Sequence, residues 1–345
     1  MRRGRPQIPG ATPTLADVAR HAGVSTATVS RYMNSPQQVV EATRNRVETS
    51  IKELGYSPNF GARALVAKRT NTIGAIIPTM ENAIFARGLQ AFQEELRQNG
   101  MTLLVSSSSY REDLEEEQIR TLTARGADGL LLIGHHRDPD LYKFLEKQGV
   151  PVLVAWVYDP DQPQTSIGFD NKAAMKSLAV KAIELGHRKI GVIGAEIASN
   201  DRARDRVNGV AEAMSDAGLS PNHMTMIETP YSIDAGADAF GMLMKGNEPP
   251  SIVMCGNDVL AVGALRQAKD MGLNVPGDVS VTGFDDIELA KVASPALTTV
   301  HVPHRNMGRT AARMLVRMVG GWTPEKSVLL PTELRIRETL GAVSS

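Results

Sequence analysis

The spacing of apolar residues changes near residue 70, and the change separates two kinds of element. Before it, apolar residues recur at helical intervals. Leu15, Val18 and Ala19 share one helix face, since positions three and four apart lie on the same side. Thr14 stands before them as an N-cap, and Asp17 puts negative charge in the first turn, where the helix dipole favours it. Gly23 permits the left-handed turn that ends such a helix. A second helix is predicted from Thr26 to about Met33, capped by Ser25, with Val24, Val29 and Met33 as its inward stripe. Thr26, Ala27, Ser30 and Arg31 are left facing outward. A third helix, from about Val40 to Leu54, turns Val47, Ile51 and Leu54 inward and stops at Gly55.

From Asn71 onward short apolar runs alternate with amphipathic stretches. The runs are TIGAIIP (72–78), MTLLVSS (101–107), DGLLLIG (128–134), PVLVAWV (151–157), KIGVIGA (189–195), MTMIET (224–229), SIVMCGN (251–257) and DVSVTGFDD (278–286). Helical stretches such as 82–98 and 171–185 lie between them. Apolar strands alternating with helices predict an α/β fold whose parallel sheets are covered on both faces. Eight strands in two sets of four predict two similar lobes, with the change of lobe near Phe169-Asp170. LTTVHVP (297–303) and SVLLPTELRI (327–336) are expected to cross back between them.

The resulting plan has a disordered tail (1–13), a helix-turn-helix headpiece (14–59) and a short Ala-rich segment (60–70). A first lobe takes 71–169 and 302–328, and a second takes 170–301 and 329–340. The segment FGARALVAKRT (60–70) is too short to be a stable helix alone in water.

Composition narrows the setting. With 345 residues, 42% hydrophobic and 22% charged, the chain reads as a globular protein of two or three domains. No apolar run approaches the roughly 18 residues of a membrane span, and the basic N-terminus lacks the apolar core of a secretory signal. The single Cys255 excludes an internal disulfide and a cysteine metal cluster. These features point to the cytoplasm. The net charge is zero, yet residues 1–70 carry 11 Lys/Arg against 4 Asp/Glu, and the remainder is acidic to the same extent. A basic head on an acidic body predicts that only the head meets a polyanion.

Two short helices joined by a glycine turn form a helix-turn-helix, whose second helix enters the DNA major groove. Small hydroxyls on that helix allow close approach to phosphates, and Arg31 can donate in bidentate fashion to guanine. Helical spacing alone also fits an ordinary three-helix bundle. In open parallel sheets ligands bind beyond the strand C-terminal ends. Those ends carry Thr79, Asp170, Asn257-Asp258 and Asp285-Asp286, and Arg202, Arg204 and Arg206 open the helix after Gly194. This set suits hydroxyls and carboxylates. Asp258 and Asp286 equally fit helix caps, and Arg202 and Arg204 equally fit a solvated surface. His135-His136 lacks a carboxylate or cysteine at ligand spacing and reads as a lobe-edge loop rather than a metal site. No G-x-S-x-G elbow or convincing acid/base pair of carboxylates occurs, so no cofactor, metal or catalytic residue is assigned.

The phrases TLADVARHAGVSTATVSRYMN, TRNRVETSIKELGYSPN and ARALVAKRT resemble the DNA-binding headpiece and hinge of the lac repressor/purine repressor family. IGFDN, HRKIGVIGA, RVNGV, CGNDVLAVGAL, VPGDVSVTGFDD and PALTTV extend the resemblance through the body, and to the related periplasmic sugar-binding fold. The resemblance implies that Thr26, Ala27 and Arg31 read bases and that Ser25, Thr28, Ser30 and Asn59 hold the DNA backbone. It makes 60–70 a hinge helix that orders when two copies pair over the minor groove. Leu65 would be the wedge that bends the duplex, with Arg63 and Lys68 beside it. In the cleft it implies Arg206 as effector clamp, Asp285 and Asn257 as effector contacts, and Tyr231 and Phe85 as aromatic walls. Trp156 falls where the lac repressor has an acidic contact, so the ligand should differ from that repressor's; its indole fits a platform for a sugar face and equally fits the core. Asp170 and Arg202 complete the candidate set.

One departure is Val40, where the family usually has a capping serine. The expected function is a homodimeric regulator on a pseudo-palindromic double-stranded operator, more readily a repressor, switched by a sugar, sugar acid or related metabolite between the lobes. An inducer would melt the hinge pair and a corepressor would order it. The competing reading is a sugar-binding α/β enzyme with an appended DNA-binding module.

Overall fold

The computed structural model describes residues 12–57, 69–81 and 83–343. The chain divides into two compact units, 1–70 and 71–345. Apart from residues 12 and 13, the expected tail lies outside the described residues, and so does the expected hinge helix as far as residue 68. Asn59, Arg63, Leu65 and Lys68 therefore fall outside them as well.

The first unit contains helices α1 (Leu15–Ala22), α2 (Thr26–Asn34) and α3 (Glu41–Leu54). Thr14 and Asp17 form a reciprocal capping box on α1, and Gly23 closes it at φ 65°. Ser25 caps α2 by accepting from the Thr28 N–H at 3.1 Å. Val18, Ala19, Ala22, Val29 and Val47 are buried together, with Leu15, Val24, Tyr32, Met33, Ile51, Leu54 and Tyr56 packed around them. His21 Nδ1 lies 3.0 Å from Ser50 Oγ and ties α1 to α3. Val40 precedes α3 without any side-chain cap, leaving one orphan N–H group to water.

The second unit holds two six-stranded sheets. The first contains β1 (Thr72–Ile77), β2 (Thr102–Ser107), β3 (Gly129–Ile133), β4 (Val152–Ala155) and β5 (Ser166–Gly168). A short β11 (Val328–Leu329) completes the order β11-β5-β4-β3-β1-β2, parallel throughout. Helices α4 (Ala83–Gln98), α5 (Glu112–Ala124) and α6 (Pro139–Gln148) connect its strands. The second sheet contains β6 (Ile190–Gly194), β7 (Met224–Glu228), β8 (Ile252–Cys255), β9 (Ser280–Asp285) and β10 (Thr298–His301). These run parallel, and β12 (Glu333–Arg335) lies antiparallel to β10. Its helices are α7 (Asn171–Glu184), α8 (Asp201–Asp216), α9 (Ile233–Met244), α10 (Asp258–Asp270) and α11 (Glu288–Val292). Apart from the added end strands, both sheets share one strand order and so direct their strand C-terminal ends to comparable crevices.

The chain returns to the first lobe in α12 (His304–Val319), which packs on α4. Gly88 and Gly308 meet at that crossing, where a Cβ on Gly308 would collide with the Gly88 carbonyl. Twelve strands are thus present among the described residues rather than the eight expected. Three of the four additions have no long apolar run of their own, and β10 falls in LTTVHVP, which was expected only to cross. It pairs with β9, and the crossing comes after it. Leu329, assigned by sequence to the second lobe, pairs with Gly168 in the first.

Candidate functional site

Two surfaces carry the residues singled out by sequence. On α2, Ser25, Thr26, Ala27 and Arg31 are exposed, and Thr28 and Ser30 are half-buried. Ser25 Oγ lies 2.9 Å from Thr28 Oγ1, so those two hydroxyls are partly engaged in capping. Arg31 makes no ion pair among the described residues, whereas Arg20 is held by Asp17 and Lys52 by Glu48. α2 has no acidic residue in its first turn. The helix therefore offers an uncommitted guanidinium and small side chains to solvent, as contact with a phosphate backbone and base edges requires.

The second surface lies where the two lobes face each other. Arg206 on α8 is buried, donates from Nε to Asn171 Oδ1 at 2.9 Å and from a terminal nitrogen to the Gly256 carbonyl at 2.5 Å. Its guanidinium stacks 3.9 Å from the Phe284 ring centroid. Asp285 follows Phe284, and neither of its buried carboxylate oxygens has a hydrogen-bond partner among the described residues. Burial pushes its carboxyl up to about 6, against the pull of Arg206. Its backbone is at φ 103° and that of Asp286 at φ 52°, conformations unfavourable to side chains other than glycine and frequent at ligand sites.

The neighbouring acids hold that turn. Asp258 accepts from Thr299 Oγ1 at 2.6 Å and from the Ile287 N–H at 2.8 Å. Burial holds its carboxyl well above the usual range. Asp286 accepts from Arg337 at 2.5 Å and lies 2.9 Å from His301 Nδ1. Of the three acids at these strand ends, only Asp285 is left uncommitted.

The other candidates distribute unevenly. Asn257 is fully buried; its Oδ1 accepts from the Leu260 N–H at 2.9 Å, while its Nδ2 has no partner among the described residues. Tyr231 stacks against Tyr110 of the first lobe at 5.7 Å. Phe85 and Trp156 pack at 5.4 Å, and Trp156 is held at φ 64° with its Nε1 buried and unpartnered. Gly88 makes room for that indole, since a Cβ there would stand 2.6 Å from the ring. Asp170 is exposed and caps α7 by accepting from the Ala173 N–H at 2.8 Å, so capping is its visible role. Arg202 is not the surface residue that its pattern allowed. Its side chain is nearly buried, bonded to Asp201 Oδ1 at 3.1 Å and packed over Gly134 of the first lobe.

Sequence reasoning passed over four participants. Asp201 accepts from the backbone N–H groups of His135 at 2.5 Å and His136 at 3.2 Å, which joins the lobes. Burial raises its carboxyl, but Arg202 and these N–H groups outweigh that and leave it lowered. Asn171 bridges Arg206 and the Trp156 carbonyl, its Nδ2 donating to the latter at 3.1 Å. Tyr110 supplies the ring facing Tyr231. His304 is buried beside Asp285, with Nε2 3.7 Å from Oδ1. The only sequence signal for Asp201 was its place at the start of the arginine-bearing helix. No group of three or more His, Cys, Asp or Glu side chains among the described residues is arranged to hold a metal. A hollow of about 360 Å³ lined by Met214, Leu219 and Met224 carries no ionisable side chain and lies apart from these residues. No helix among the described residues is long and apolar enough to cross a membrane.

Comparison with known proteins finds relatives of both parts of the chain. Residues 14–59 match the family model for bacterial regulatory proteins of the lacI family, and residues 181–340 match that of a periplasmic binding protein-like domain. The HTH-type transcriptional repressor PurR of Salmonella paratyphi A is 35% identical over 305 residues, 88% of this chain and 89% of that protein. The lac repressor dimer bound to operator and the anti-inducer ONPF superposes with a TM-score of 0.85 at 28% identity, covering 96% of this chain and 100% of that one. The transcriptional regulator CelR in complex with cellobiose does so with a TM-score of 0.69 at 31% identity, covering 95% and 99%. A helix-turn-helix early in the sequence, a two-lobed periplasmic binding protein-like fold after it and relatives that match along nearly the whole length lead to one conclusion: this chain belongs to the lacI family of DNA-binding transcription regulators.

Proposed function

We propose that the protein is a one-component repressor that binds a pseudo-palindromic operator as a homodimer and is switched by a carbohydrate or related small metabolite between its lobes. The observation that carries this reading is the buried set Asp285, Asn257 and Trp156, whose unpartnered polar atoms lie on the lobe faces beside the bonded guanidinium of Arg206. Hydroxyl-rich ligands satisfy such atoms, while Trp156 and Phe85, packed into the core of the first lobe, present only the unpartnered indole Nε1 toward a ligand. The CelR–cellobiose complex, similar over nearly the whole chain, supports a carbohydrate.

Ligand in this position acts by its differential affinity for two lobe arrangements. The Asp201 bonds to the first lobe and the Tyr110–Tyr231 contact span the two lobes, so a change of lobe angle would make or break them. Residues 58–70 are the covalent link through which the lobes bear on the headpiece. Paired hinges there, with Leu65 as wedge, would convert lobe angle into operator affinity. Base selection falls to Thr26 and Arg31, with Ala27 limited to an apolar contact such as a thymine methyl. Ser25, Thr28, Ser30 and Asn59 would hold the DNA backbone.

The test is a thermal-shift screen of the full chain against sugars, sugar acids and nucleobases, followed by operator titration with each hit. A binder at 100 times its Kd stabilises the body by about 2.7 kcal/mol, and it should also shift operator affinity. Hits that stabilise without moving operator affinity would reject the switch, and steady turnover of a hit would reject the regulator reading in favour of an enzyme.

A further inference from the structure

His304 is a polar group in the cleft that no motif accounts for. It opens α12, its side chain is 2% exposed, and neither ring nitrogen makes a hydrogen bond of normal geometry among the described residues. The contrast with His187 is direct. That ring is equally buried, but its Nδ1 lies 2.9 Å from Ser251 Oγ and its Nε2 lies 3.0 Å from the Gly341 carbonyl. A histidine serving only the core normally has its nitrogens satisfied in that way. His304 instead faces Asp285 at 3.7 Å and the Trp156 ring at 6.3 Å between centroids.

We propose that His304 is a specificity-determining residue of the effector site, acting with Asp285 to select an uncharged, hydroxyl-bearing ligand over its carboxylate counterpart. The proposal rests on the effector reading above and sharpens it. A separation of 3.7 Å is too long for a direct hydrogen bond but short enough for one ligand hydroxyl to touch both groups. A hydroxyl both donates and accepts, so it can donate to the Asp285 carboxylate while engaging the imidazole.

Charge excludes the acid. The guanidinium of Arg202 is bonded to Asp201, and that of Arg206 to Asn171 and Gly256 with Asp285 beside it. Arg87 is paired with Glu288. Burial, only partly offset by the Asp285 backbone beside the ring and reinforced by Arg87, Arg206 and His301, pulls the His304 imidazole down to about 3, so it is neutral at physiological pH and contributes no cation. A ligand carboxylate at this point would meet the Asp285 carboxylate as a like charge.

The experiment is isothermal titration calorimetry at pH 7.5 on the full-length wild type, H304F and H304Q. The probes are three matched pairs: glucose and glucuronate, galactose and galacturonate, cellobiose and cellobionate. The expected result is that a neutral member binds wild type at least 10-fold more tightly than its acid. H304F should lose at least 10-fold for that neutral sugar, so the neutral-to-acid ratio falls, and H304Q should lose less because its amide still donates and accepts. Thermal melting of each variant without ligand separates this from misfolding, since a structural role would lower the melting temperature and leave the ratio unchanged. Acids that bind as tightly as their neutral partners, or an H304F ratio equal to wild type, would overturn the proposal while leaving a carbohydrate site intact. Binding by no member of any pair would overturn the carbohydrate reading itself, and the selectivity with it.

Discussion

The headpiece and the cleft both hold polar side chains uncommitted, but in different media. Arg31 and Thr26 stand in water, where an unpaired group is already solvated. Asp285, His304, Asn257 and Trp156 hold unpaired polar atoms out of water, where each costs about 1–3 kcal/mol until something bonds to it. The headpiece can therefore keep a docking face at little expense in stability. The cleft stores a stability deficit that only a ligand of matching polarity removes. Mutations in the two regions should accordingly separate binding from stability in opposite ways.

The largest effect should come from Arg206→Ala. It removes a buried guanidinium bonded to Asn171 and Gly256 and leaves Asp285 without its nearest cation. Breaking a buried charge arrangement from one side costs about 3–5 kcal/mol, so urea unfolding should show a loss of that order. Operator binding without effector should survive while the effector response disappears; a normal response would move the site elsewhere. Arg31→Ala should leave unfolding unchanged and remove about 1–3 kcal/mol of discrimination between operator and random DNA. Specificity retained in a competition gel shift would take Arg31 out of the reading set.

Asp285→Asn should do what no headpiece change can, abolishing the effector response while stabilising the unliganded protein by about 1–2 kcal/mol at pH 7.5. The sign follows from linkage. The folded-state carboxyl is raised to about 6 from its ordinary value of 3.8, so the native state takes up a proton that the unfolded chain does not. This group's stabilisation is full below the unfolded value and is lost as pH rises through about 6. The advantage of Asp285→Asn should therefore shrink as pH falls from 7.5 through about 6. Effector affinity of the wild type should weaken over the same interval, because the ionised acceptor is lost. An unliganded melting difference independent of pH would show that Asp285 is partnered in solution. The smallest effect belongs to Val40→Ser, which supplies the missing cap of α3 and should add about 1 kcal/mol, read by thermal melting, with operator specificity unchanged.

Much of the headpiece was legible because its determinants are local. Thr14 with Asp17, Gly23 and Ser25 cap groups within a turn of themselves, and the stripe of Val18, Ala19 and Val29 needs only helical periodicity to be seen. The eight long apolar runs were legible as strands for a similar reason. β5 and β11 were not, because three and two residues carry no period. In the cleft, Arg206 and Asp285 stood out by motif, but the motif did not show what holds Asp258 and Asp286, which are bonded to Thr299 and Arg337. Nor did it show that Asp170 caps a helix or that Arg202 is nearly buried.

By itself the sequence determined the helix-turn-helix, the alternation that makes two parallel sheets, and the residue types available at their ends. Those follow from interactions across three or four positions and from the burial of apolar runs. Only the tertiary structure decided which polar groups are spent and which remain. Asp258 is satisfied by Thr299, 41 positions away; Arg206 is oriented by Asn171, 35 away; and Asp201 reaches His135, 66 away, in the other lobe. The first two pairings exist only after the strands and helices of the second lobe have packed, and the third only where the two lobes meet. His304 therefore has no signature in the sequence and becomes visible only when its ring is found beside Asp285 with no hydrogen bond of normal geometry at either nitrogen.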